Sequence, residues 1–466
     1  MRHPDRSALP DTASRNLGRL AGPPGRLARA APSGTANGAP VHVLLDVSRL
    51  LLCVHRTSPS GIERVEYAYA RRWLARPAED CTFTAQSVWG HFAALPREGV
   101  AALLDALDEV WDRGTPQRRG LRRAQRIALS LQGRLARGGG RLALRARLRR
   151  HPGAVFLLVS HHALDQRAPI AALRQAGARF VPLIHDLIPL THPEYTRVPQ
   201  IARHAARIAN TAALADGIIV NSAATESVLL DHLAAHGRVP PIAIAPLGTR
   251  AMRAPAPALP TEPYFVCIGT VEPRKNHQLL LHLWRDFAAE GRRGPRLLLC
   301  GRRGWENENV LDLLERCTAL RGPVRELGAV PDAEMTALLA GARALLFPSF
   351  AEGFGLPVAE ALALGVPVLC SDLPALREVG GAVPDYLDPL DGPGWRRAIL
   401  DYAEPDSPAR AAQLARLPGW TAPSWSAHFD EVDALLAHVT AEAEPMLPES
   451  PRRPRGEPSL AGATPA

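Results

Sequence analysis

The sequence predicts an α/β fold in which two Rossmann-like, doubly wound parallel-sheet domains face each other across a cleft. Three observations lead to this prediction. The chain has 466 residues, which is too long for one ordinary hydrophobic core. Short runs that are apolar throughout alternate with longer amphipathic runs, as expected of parallel strands covered by helices on both faces. A segment with four prolines, 251–263, interrupts this array near mid-chain and is typical of a stiff linker.

The apolar runs are the predicted strands, and they divide evenly between the two halves of the chain. They lie at 41–47, 154–160, 180–186, 217–221 and 242–246, and then at 264–269, 296–301, 324–327, 344–347 and 366–371. They predict an N-terminal domain at 40–250, a C-terminal domain at 264–423, and an amphipathic helix at 424–440 that packs back on the N-terminal domain. The segments 1–39 and 445–466 contain few large apolar residues, so we expect them to be disordered.

The composition limits the class of protein and its compartment. The net charge of +9 is local, because the segment 113–150 carries thirteen arginines and no acidic residue. The six cysteines form no Cys-x-x-Cys pair, which indicates buried free thiols in a reducing compartment and not a disulfide or zinc framework. The sequence contains no run of 18 apolar residues and no secretory signal, so we expect a cytoplasmic protein.

The basic segment supports two interpretations. Its aliphatic residues fall at helical spacing, and the glycines at 138–140 separate two predicted helices within 117–150. Basic amphipathic helices can lie on an anionic bilayer, which would place the protein at the inner face of a membrane. A solvated and partly disordered insertion is the alternative. Nucleic-acid binding is disfavoured because the segment has no aromatic residue to stack on bases.

The strongest candidate site is the run from Glu352 to Glu360, which follows a predicted strand. Pro357 suits the first turn of a helix, and the glycines Gly353 and Gly355 let backbone N–H groups approach a ligand. A bare helix N-terminus also carries a partial positive charge that suits a diphosphate. Glu352 on the loop and Glu360 in the helix can accept hydrogen bonds from sugar and ribose hydroxyls. The residues alone are also compatible with an ordinary loop before a helix-start glutamate.

A second strand-to-helix loop carries cations that a diphosphate would need. Fifty-four basic residues are arginine and Lys275 is the single lysine, which makes this lysine informative. Arg274 and Lys275 stand between the strand at 264–269 and a predicted helix, so both should face the cleft. Fixed cations there would stabilise the charge that develops on a leaving diphosphate. A solvated basic turn is the alternative.

The N-terminal half contributes candidates at the carboxyl ends of its own strands. His185 and Asp186 end the strand at 180–186, where they can position a substrate hydroxyl or form a structural pair. Arg49 and Arg64 are either acceptor contacts or surface residues, and a surface position is slightly favoured.

Together these segments resemble the retaining glycosyltransferases of family 4, which have the GT-B fold. The resemblance rests on 347–362, which matches the Glu-x7-Glu signature of that family. It also rests on the Gly-Thr-x-Glu-Pro-Arg-Lys-Asn run at 269–276, which is similar to that of the mannosyltransferase-like members. Many members have an arginine where this chain has Thr270, so Arg274 would supply the second cation.

The resemblance implies a role for each candidate residue. Glu352 would contact the transferred sugar, Glu360 the ribose, and Lys275 the phosphates. The other implied donor contacts are Arg274, Gly353, the amides of Phe354, Gly355 and Leu356, Thr270, His185 with its orienting partner Asp186, and Gly61 against the diphosphate.

The implied reaction moves a sugar, with mannose as the first guess, from a nucleoside-diphosphate sugar to a hydroxyl of a glycan or lipid-linked acceptor. No enzyme nucleophile is evident, so the leaving phosphate would deprotonate the acceptor through an oxocarbenium-like state. No Asp-x-Asp triplet occurs, so we expect neither a metal nor a cofactor. The alternatives are a sugar phosphorylase, a nucleotide-sugar epimerase and a non-catalytic binding module. A dinucleotide dehydrogenase is disfavoured because no Gly-x-Gly-x-x-Gly follows an early strand.

Overall fold

The structure is a computed structural model that describes residues 41–111, 117–250, 262–291 and 294–441. The segments 1–39 and 445–466, most of the linker 251–263 and the start of the basic segment lie outside the described residues. Within the described ranges, no helix is long and apolar enough to cross a bilayer.

The N-terminal domain is built on a seven-stranded sheet with the order β3-β2-β1-β4-β5-β6-β7. Its strands are β1 (Val43–Asp46), β2 (Cys81–Gln86), β3 (Phe92–Ala94), β4 (Val155–Leu158), β5 (Arg179–Ile184), β6 (Ile218–Val220) and β7 (Ile242–Ile244). Its helices are α1 (Ser48–Leu52), α2 (Gly61–Leu74), α3 (Arg97–Trp111), α4 (Gln117–Ala136), α5 (Arg141–Arg150), α6 (Arg167–Gln175), α7 (Ile188–Thr191), α8 (Val198–Leu214) and α9 (Ala223–Ala234). All neighbouring strands are parallel except the β2–β3 pair.

The C-terminal domain is built on a parallel six-stranded sheet with the order β10-β9-β8-β11-β12-β13. Its strands are β8 (Tyr264–Ile268), β9 (Arg296–Cys300), β10 (Val324–Gly328), β11 (Leu345–Phe347), β12 (Val368–Ser371) and β13 (Asp385–Leu387). Its helices are α10 (His277–Ala289), α11 (Glu308–Arg316), α12 (Asp332–Ala340), α13 (Leu356–Ala363), α14 (Pro374–Gly380), α15 (Gly392–Ala403) and α16 (Pro408–Arg416). Short 3-10 turns occur at Pro193–Tyr195, Pro273–Lys275, Thr318–Leu320 and Leu417–Gly419.

The two-sheet α/β architecture predicted from the sequence is confirmed, but three strands of the structure were not predicted. In β2, Thr82 and Thr84 interrupt the apolar run although the strand is almost wholly buried. The strands β3 and β13 are three residues long and lie at sheet edges, so their sequences carry little apolar signal.

The last helix, α17 (Trp425–Ala441), packs on the N-terminal domain. His428 anchors it, because its Nε2 lies 2.8 Å from the Tyr69 hydroxyl and its Nδ1 lies 2.9 Å from the carbonyl oxygen of Ala245. Arg72 of α2 also forms an ion pair with Asp433 of α17.

The basic segment forms the two predicted helices, α4 and α5, but it is not a loosely attached insertion. Ala124, Ala128, Leu131 and Leu135 form a buried stripe along α4 that belongs to the same core as α3. The expectation of a solvated, partly disordered insertion is therefore wrong for residues 117–150. Cys317 is half-buried, and the other five free cysteines are buried as predicted.

Candidate functional site

The candidate site is centred on Glu352, which lies between two cations at the carboxyl edge of the C-terminal sheet. The Nζ of Lys275 is 2.6 Å from Glu352 Oε1, and the Nη1 of Arg274 is 3.0 Å from Glu352 Oε2. Arg274 also donates to the Ala351 carbonyl oxygen at 2.6 Å and to the Glu272 carboxylate at 2.7 Å. The structure thus joins the loop after β8 to the loop after β11, as the sequence predicts.

The electrostatics of this cluster favour a negative charge on Glu352. Burial opposes ionisation of this carboxyl, but Arg274 and Lys275 outweigh burial and lower its pKa to about 2. Burial also lowers the pKa of Lys275, and it outweighs the pull of Glu352. The pKa of Glu352 falls because two cations stabilise its charge. The pKa of Lys275 falls because burial and repulsion from Arg274 together exceed the attraction of Glu352.

The helix α13 presents an uncapped N-terminus beside this cluster. Gly355 is its N-cap and has a φ of 99°, a left-handed conformation that favours glycine. No side chain caps the helix, and in the described part of the chain no hydrogen bond occupies the N–H of Gly355 or Leu356. Phe354 is buried, and its side chain belongs to the hydrophobic core. Gly61, the first residue of α2, faces Leu356 across the cleft, and a Cβ there would lie 3.6 Å from Leu356 Cδ1.

At Gly353 the C-terminal domain is in close contact with the backbone of the N-terminal domain. A Cβ on this glycine would lie 2.3 Å from the carbonyl oxygen of His185. The carbonyl oxygen of Gly353 accepts a hydrogen bond from Ser222 Oγ at 2.8 Å, and Asn221 Nδ2 donates to the carbonyl oxygen of His185 at 2.9 Å. The absence of a side chain at Gly353 is therefore explained by domain packing, a reason that the sequence did not reveal.

His185 is placed at the cleft as predicted, with a defined tautomer. Its Nε2 lies 2.8 Å from the carbonyl oxygen of Val159, so this nitrogen carries the proton and Nδ1 is left as an acceptor. Burial lowers the pKa of His185 to about 4, against the smaller effect of the Val159 carbonyl. A neutral imidazole with a free acceptor nitrogen can orient a hydroxyl, but it cannot act as a cation near pH 7.

Asp186 of the N-terminal domain acts on this cluster electrostatically, whereas Thr270 of the C-terminal domain packs away from it against a glycine. The carboxylate of Asp186 accepts a hydrogen bond from the N–H of Ile188 at 3.2 Å. Burial opposes the charge of Arg274, but Glu352, Glu272 and Asp186 together raise its pKa, so Asp186 acts across the domain boundary. Thr270 follows β8 and packs against Gly304, where a Cβ would lie 2.7 Å from its methyl carbon.

Glu360 faces a separate part of the cleft, a cavity of about 530 Å³ lined by both domains. Burial raises the pKa of Glu360 against the pull of Arg64. Arg64 crosses the cleft, and its Nη1 lies 2.7 Å from Asp332 Oδ2. Arg250 pairs with the same carboxylate. The prediction that slightly favoured a surface position for Arg64 is therefore wrong, because its ion pair connects α2 to α12.

Sequence reasoning missed two partners of this site. Glu272 holds Arg274, and Asp332 holds Arg64. Glu272 stands two residues before Arg274, so a carboxylate next to the predicted cation was the available signal. Asp332 is separated from Arg64 by 268 residues, and no sequence pattern links the two. Among the described residues, no group of three or more His, Cys, Asp or Glu side chains is arranged to hold a metal ion.

The two α/β domains, each built on a predominantly parallel sheet, and the cleft between them define a protein of the GT-B fold. The Anabaena protein HepE, solved in complex with UDP and glucose, has a TM-score of 0.54 at 15% identity, covering 86% of this chain and 98% of that one. Sucrose-phosphate synthase from Thermosynechococcus elongatus has a TM-score of 0.51 at 22% identity, covering 65% and 77%. At these identities the likeness shows the fold alone.

Residues 249–382 match the family model "Glycosyl transferases group 1". The predicted resemblance to the family 4 enzymes is confirmed at this level. The chain is 42% identical over 163 residues to O-antigen chain mannosyltransferase B of Escherichia coli, covering 33% of this chain and 42% of the relative. It is 34% identical over 158 residues to O-antigen chain mannosyltransferase RfbU of Salmonella typhimurium, covering 32% and 41%. The chain thus spans less than half the length of these relatives.

Proposed function

We propose that this protein is a retaining glycosyltransferase that moves a sugar from a nucleoside-diphosphate sugar to a hydroxyl acceptor. The observation that carries the proposal is the cluster of Glu352, Lys275 and Arg274 beside the uncapped N-terminus of α13. Such a site offers two fixed cations and free N–H groups to a diphosphate, and a carboxylate to the sugar hydroxyls. The cluster lies at the carboxyl edge of a parallel sheet, where ligands of such sheets bind.

In the proposed reaction, the cations stabilise the leaving diphosphate and the carboxylate orients the sugar. Lys275 and Arg274 meet the charge that develops as the glycosidic bond breaks, together with the N–H groups of Gly355 and Leu356. Glu352 accepts hydrogen bonds from sugar hydroxyls, and the leaving phosphate takes the acceptor proton on the same face. We propose that no metal takes part, because the two cations and the helix N-terminus already supply the positive charge.

The rest of the donor would extend along the cleft from this cluster. In this proposal Glu360 accepts hydrogen bonds from the hydroxyls of the ribose, and His185 Nδ1 accepts one from a hydroxyl of the sugar. We propose mannose as the sugar, GDP-mannose as the donor, and polysaccharide or lipid-linked glycan assembly as the process. The names of the bacterial relatives, which are O-antigen mannosyltransferases, support this choice.

The test measures donor binding and turnover separately. A thermal-shift panel of nucleotide sugars should show the largest stabilisation with GDP-mannose. With a panel of α-mannoside acceptors, nucleoside diphosphate should be released only when an acceptor is present, and the product should keep the α configuration by NMR. The Lys275→Ala variant is the control for background hydrolysis. Acceptor-independent conversion of the donor would instead indicate an epimerase, and phosphate-dependent cleavage of a glycan would indicate a phosphorylase.

We also propose that the protein contacts an anionic membrane surface through the basic helices. Exposed apolar side chains lie on the same surface, with 77% of Val88, 70% of Trp89 and 79% of Leu142 accessible to solvent. Trp89 Nε1 donates to the Ala136 carbonyl oxygen at 2.9 Å, so the β2–β3 hairpin tip meets the end of α4. Exposed aromatic and aliphatic tips among arginines match the interfacial region of an anionic bilayer in both polarity and charge.

The membrane proposal is tested with point variants, because deletion of 117–150 would remove the buried face of α4. The full chain should float with vesicles that contain anionic lipid and not with neutral phosphatidylcholine vesicles. Trp89→Ala and Val88→Ser should weaken flotation, whereas Val198→Ser, an equally exposed valine of α8, should not. Equal flotation of all variants, or preferential binding to nucleic acid, would contradict the proposal.

A further inference from the structure

A second cavity, of about 400 Å³, lies beside the candidate site on the α10 side of the C-terminal sheet. Loops that follow β8, β9, β11 and β13 form it, and Tyr195 of the N-terminal domain closes its rim. Glu272 lines this cavity and also holds Arg274, which in turn pairs with Glu352. The cavity is therefore a neighbour of the candidate site and shares one side chain with its ion-pair network.

Backbone strain is concentrated at this cavity. Among the described residues, the non-glycine positions with positive φ are Ala163, Asn276 and Glu306, and the last two both line the cavity. Asn276 tolerates the left-handed region through its short polar side chain, but Glu306, with a φ of 47°, does not do so readily. Glu306 is exposed and makes no side-chain hydrogen bond within the described structure. Strained residues of this kind cluster at ligand-binding sites, which makes this cavity a candidate for one.

A buried side chain with unmet hydrogen-bonding capacity also lines the same cavity. His277 lines the cavity and is 2% exposed, and its Nδ1 has no hydrogen-bond partner in the described structure. The helices α10 and α11 both begin at the cavity, and neither has a side-chain cap. Asn307 Nδ2 donates to the carbonyl oxygen of Val271 at 2.8 Å, which fixes the orientation of its amide.

The mixture of groups indicates an uncharged, hydroxyl-rich ligand. The carboxylates of Glu272 and Glu306 would repel a phosphate, and the two helix N-termini would repel a cation. Hydroxyls, in contrast, can donate to the carboxylates and accept from N–H groups in one pocket. Tyr195 and Phe350 stack at the rim, with ring centroids 5.3 Å apart and an interplanar angle of 7°, and they offer the apolar edge that a sugar ring also needs.

We propose that this cavity binds a saccharide unit of the acceptor glycan, beyond the unit that receives the new sugar. The inference rests on the proposed glycosyl transfer and adds a second point of acceptor recognition on the donor domain. Glu306 and Asn309 are the contacts that can be removed without touching the ion-pair cluster around Glu352. Because a longer acceptor could contact the protein at two points, kcat/KM for the acceptor should rise as its chain lengthens.

The test compares binding of α-linked mannotriose to the full-length protein and three variants by saturation-transfer NMR and calorimetry. Glu306→Gln combined with Asn309→Ala should weaken mannotriose binding roughly tenfold, as expected for two lost hydrogen bonds. Glu308→Gln, the exposed neighbour outside the cavity, is the matched control and should bind as the wild type does. Glu306→Gly should weaken binding yet raise Tm by a few degrees, roughly the effect of relieving one strained residue.

The outcomes separate this inference from the proposed function. Loss of mannotriose binding in the cavity variants, with an unchanged thermal shift by GDP-mannose, supports the saccharide site. If these variants bind mannotriose as the wild type does, or if the wild type binds none, the inference is overturned. This holds whether or not GDP-mannose gives a thermal shift. If no nucleotide sugar binds but mannotriose binding still depends on Glu306 and Asn309, the proposed function fails and the saccharide site stands.

Discussion

Replacing Glu352 with glutamine removes one charge from a cluster of three and keeps the shape of the side chain. The pKa of Glu352 lies at about 2 in the folded protein against 4.5 as the ordinary value. A difference of about 2.5 pH units corresponds to about 3 kcal/mol of stability near pH 7. The side chain is only 9% exposed, so solvent screens this interaction little. We therefore expect Glu352→Gln to destabilise the C-terminal domain by about 3 kcal/mol at pH 7, which is roughly 6–12 °C in Tm.

The pH dependence identifies the cause of this loss. Because the folded pKa is depressed, the stabilisation is fully present above pH 4.5 and is lost as the pH falls towards 2. By pH 3 about 2 kcal/mol of this stabilisation should be lost. The difference in free energy of unfolding between the wild type and Glu352→Gln should therefore fall to less than half of its value at pH 7.

Differential scanning calorimetry at pH 7, 4 and 3 measures this gap and resolves the transitions of the two domains. Glu431→Gln, at an exposed position in the middle of α17, is the control and should follow the wild type at each pH. A gap that is the same at pH 7 and pH 3 would refute the electrostatic explanation, because it would leave only the change in packing. The absence of any gap at pH 7 would refute the ion-pair geometry itself.

Three further predictions follow from the same region. Lys275→Ala should lower kcat/KM at least a hundredfold with an unchanged circular dichroism spectrum, since one such cation contributes on the order of 3–4 kcal/mol; a near-normal rate would contradict the site assignment. Gly353→Ala should lower the rate roughly tenfold or more, because its Cβ would lie 2.3 Å from a backbone oxygen of the other domain. Gly419→Ala is the control and should keep the wild-type rate, because a Cβ on Gly419 would have no atom within 4 Å. Equal rates in the two variants would contradict the prediction. Asp332→Asn should increase the radius of gyration in solution scattering, because it weakens the contact with Arg64; an unchanged curve would show that other contacts hold the domains together.

The sequence predicts the fold well because a buried parallel sheet leaves a strong local signal. Each of the ten predicted strands overlaps a strand of the structure, since a strand covered on both faces must be apolar throughout. The three missed strands are those for which this rule does not hold, either because threonines interrupt the run or because the strand is short and lies at an edge. The packing of α4 on α3 was missed because the arginines of α4 mask its single buried stripe.

The candidate site was predictable to the extent that its residues lie on loops that follow strands. Glu352 and Lys275 lie on the loops after β11 and β8, and the rule that places ligands at carboxyl ends of strands brings them together. The contacts between domains follow no such rule. The ion pair of Arg64 with Asp332 and the approach of Gly353 to His185 depend on the relative placement of two separately folded sheets, which no local pattern encodes.

These domain contacts involve the candidate site itself, which has a consequence for catalysis. Gly353 stands next to Glu352, and its carbonyl oxygen is held by Ser222 of the N-terminal domain. His185, whose Nδ1 is the free acceptor, contributes its own backbone to the same contact. The carboxylate that would orient the sugar and the imidazole that would receive one of its hydroxyls can therefore act on one ligand only while the domains are in contact. The interdomain hydrogen bonds thus assemble the site as well as stabilise the fold, and a variant that separates the domains should lose turnover before it loses donor affinity.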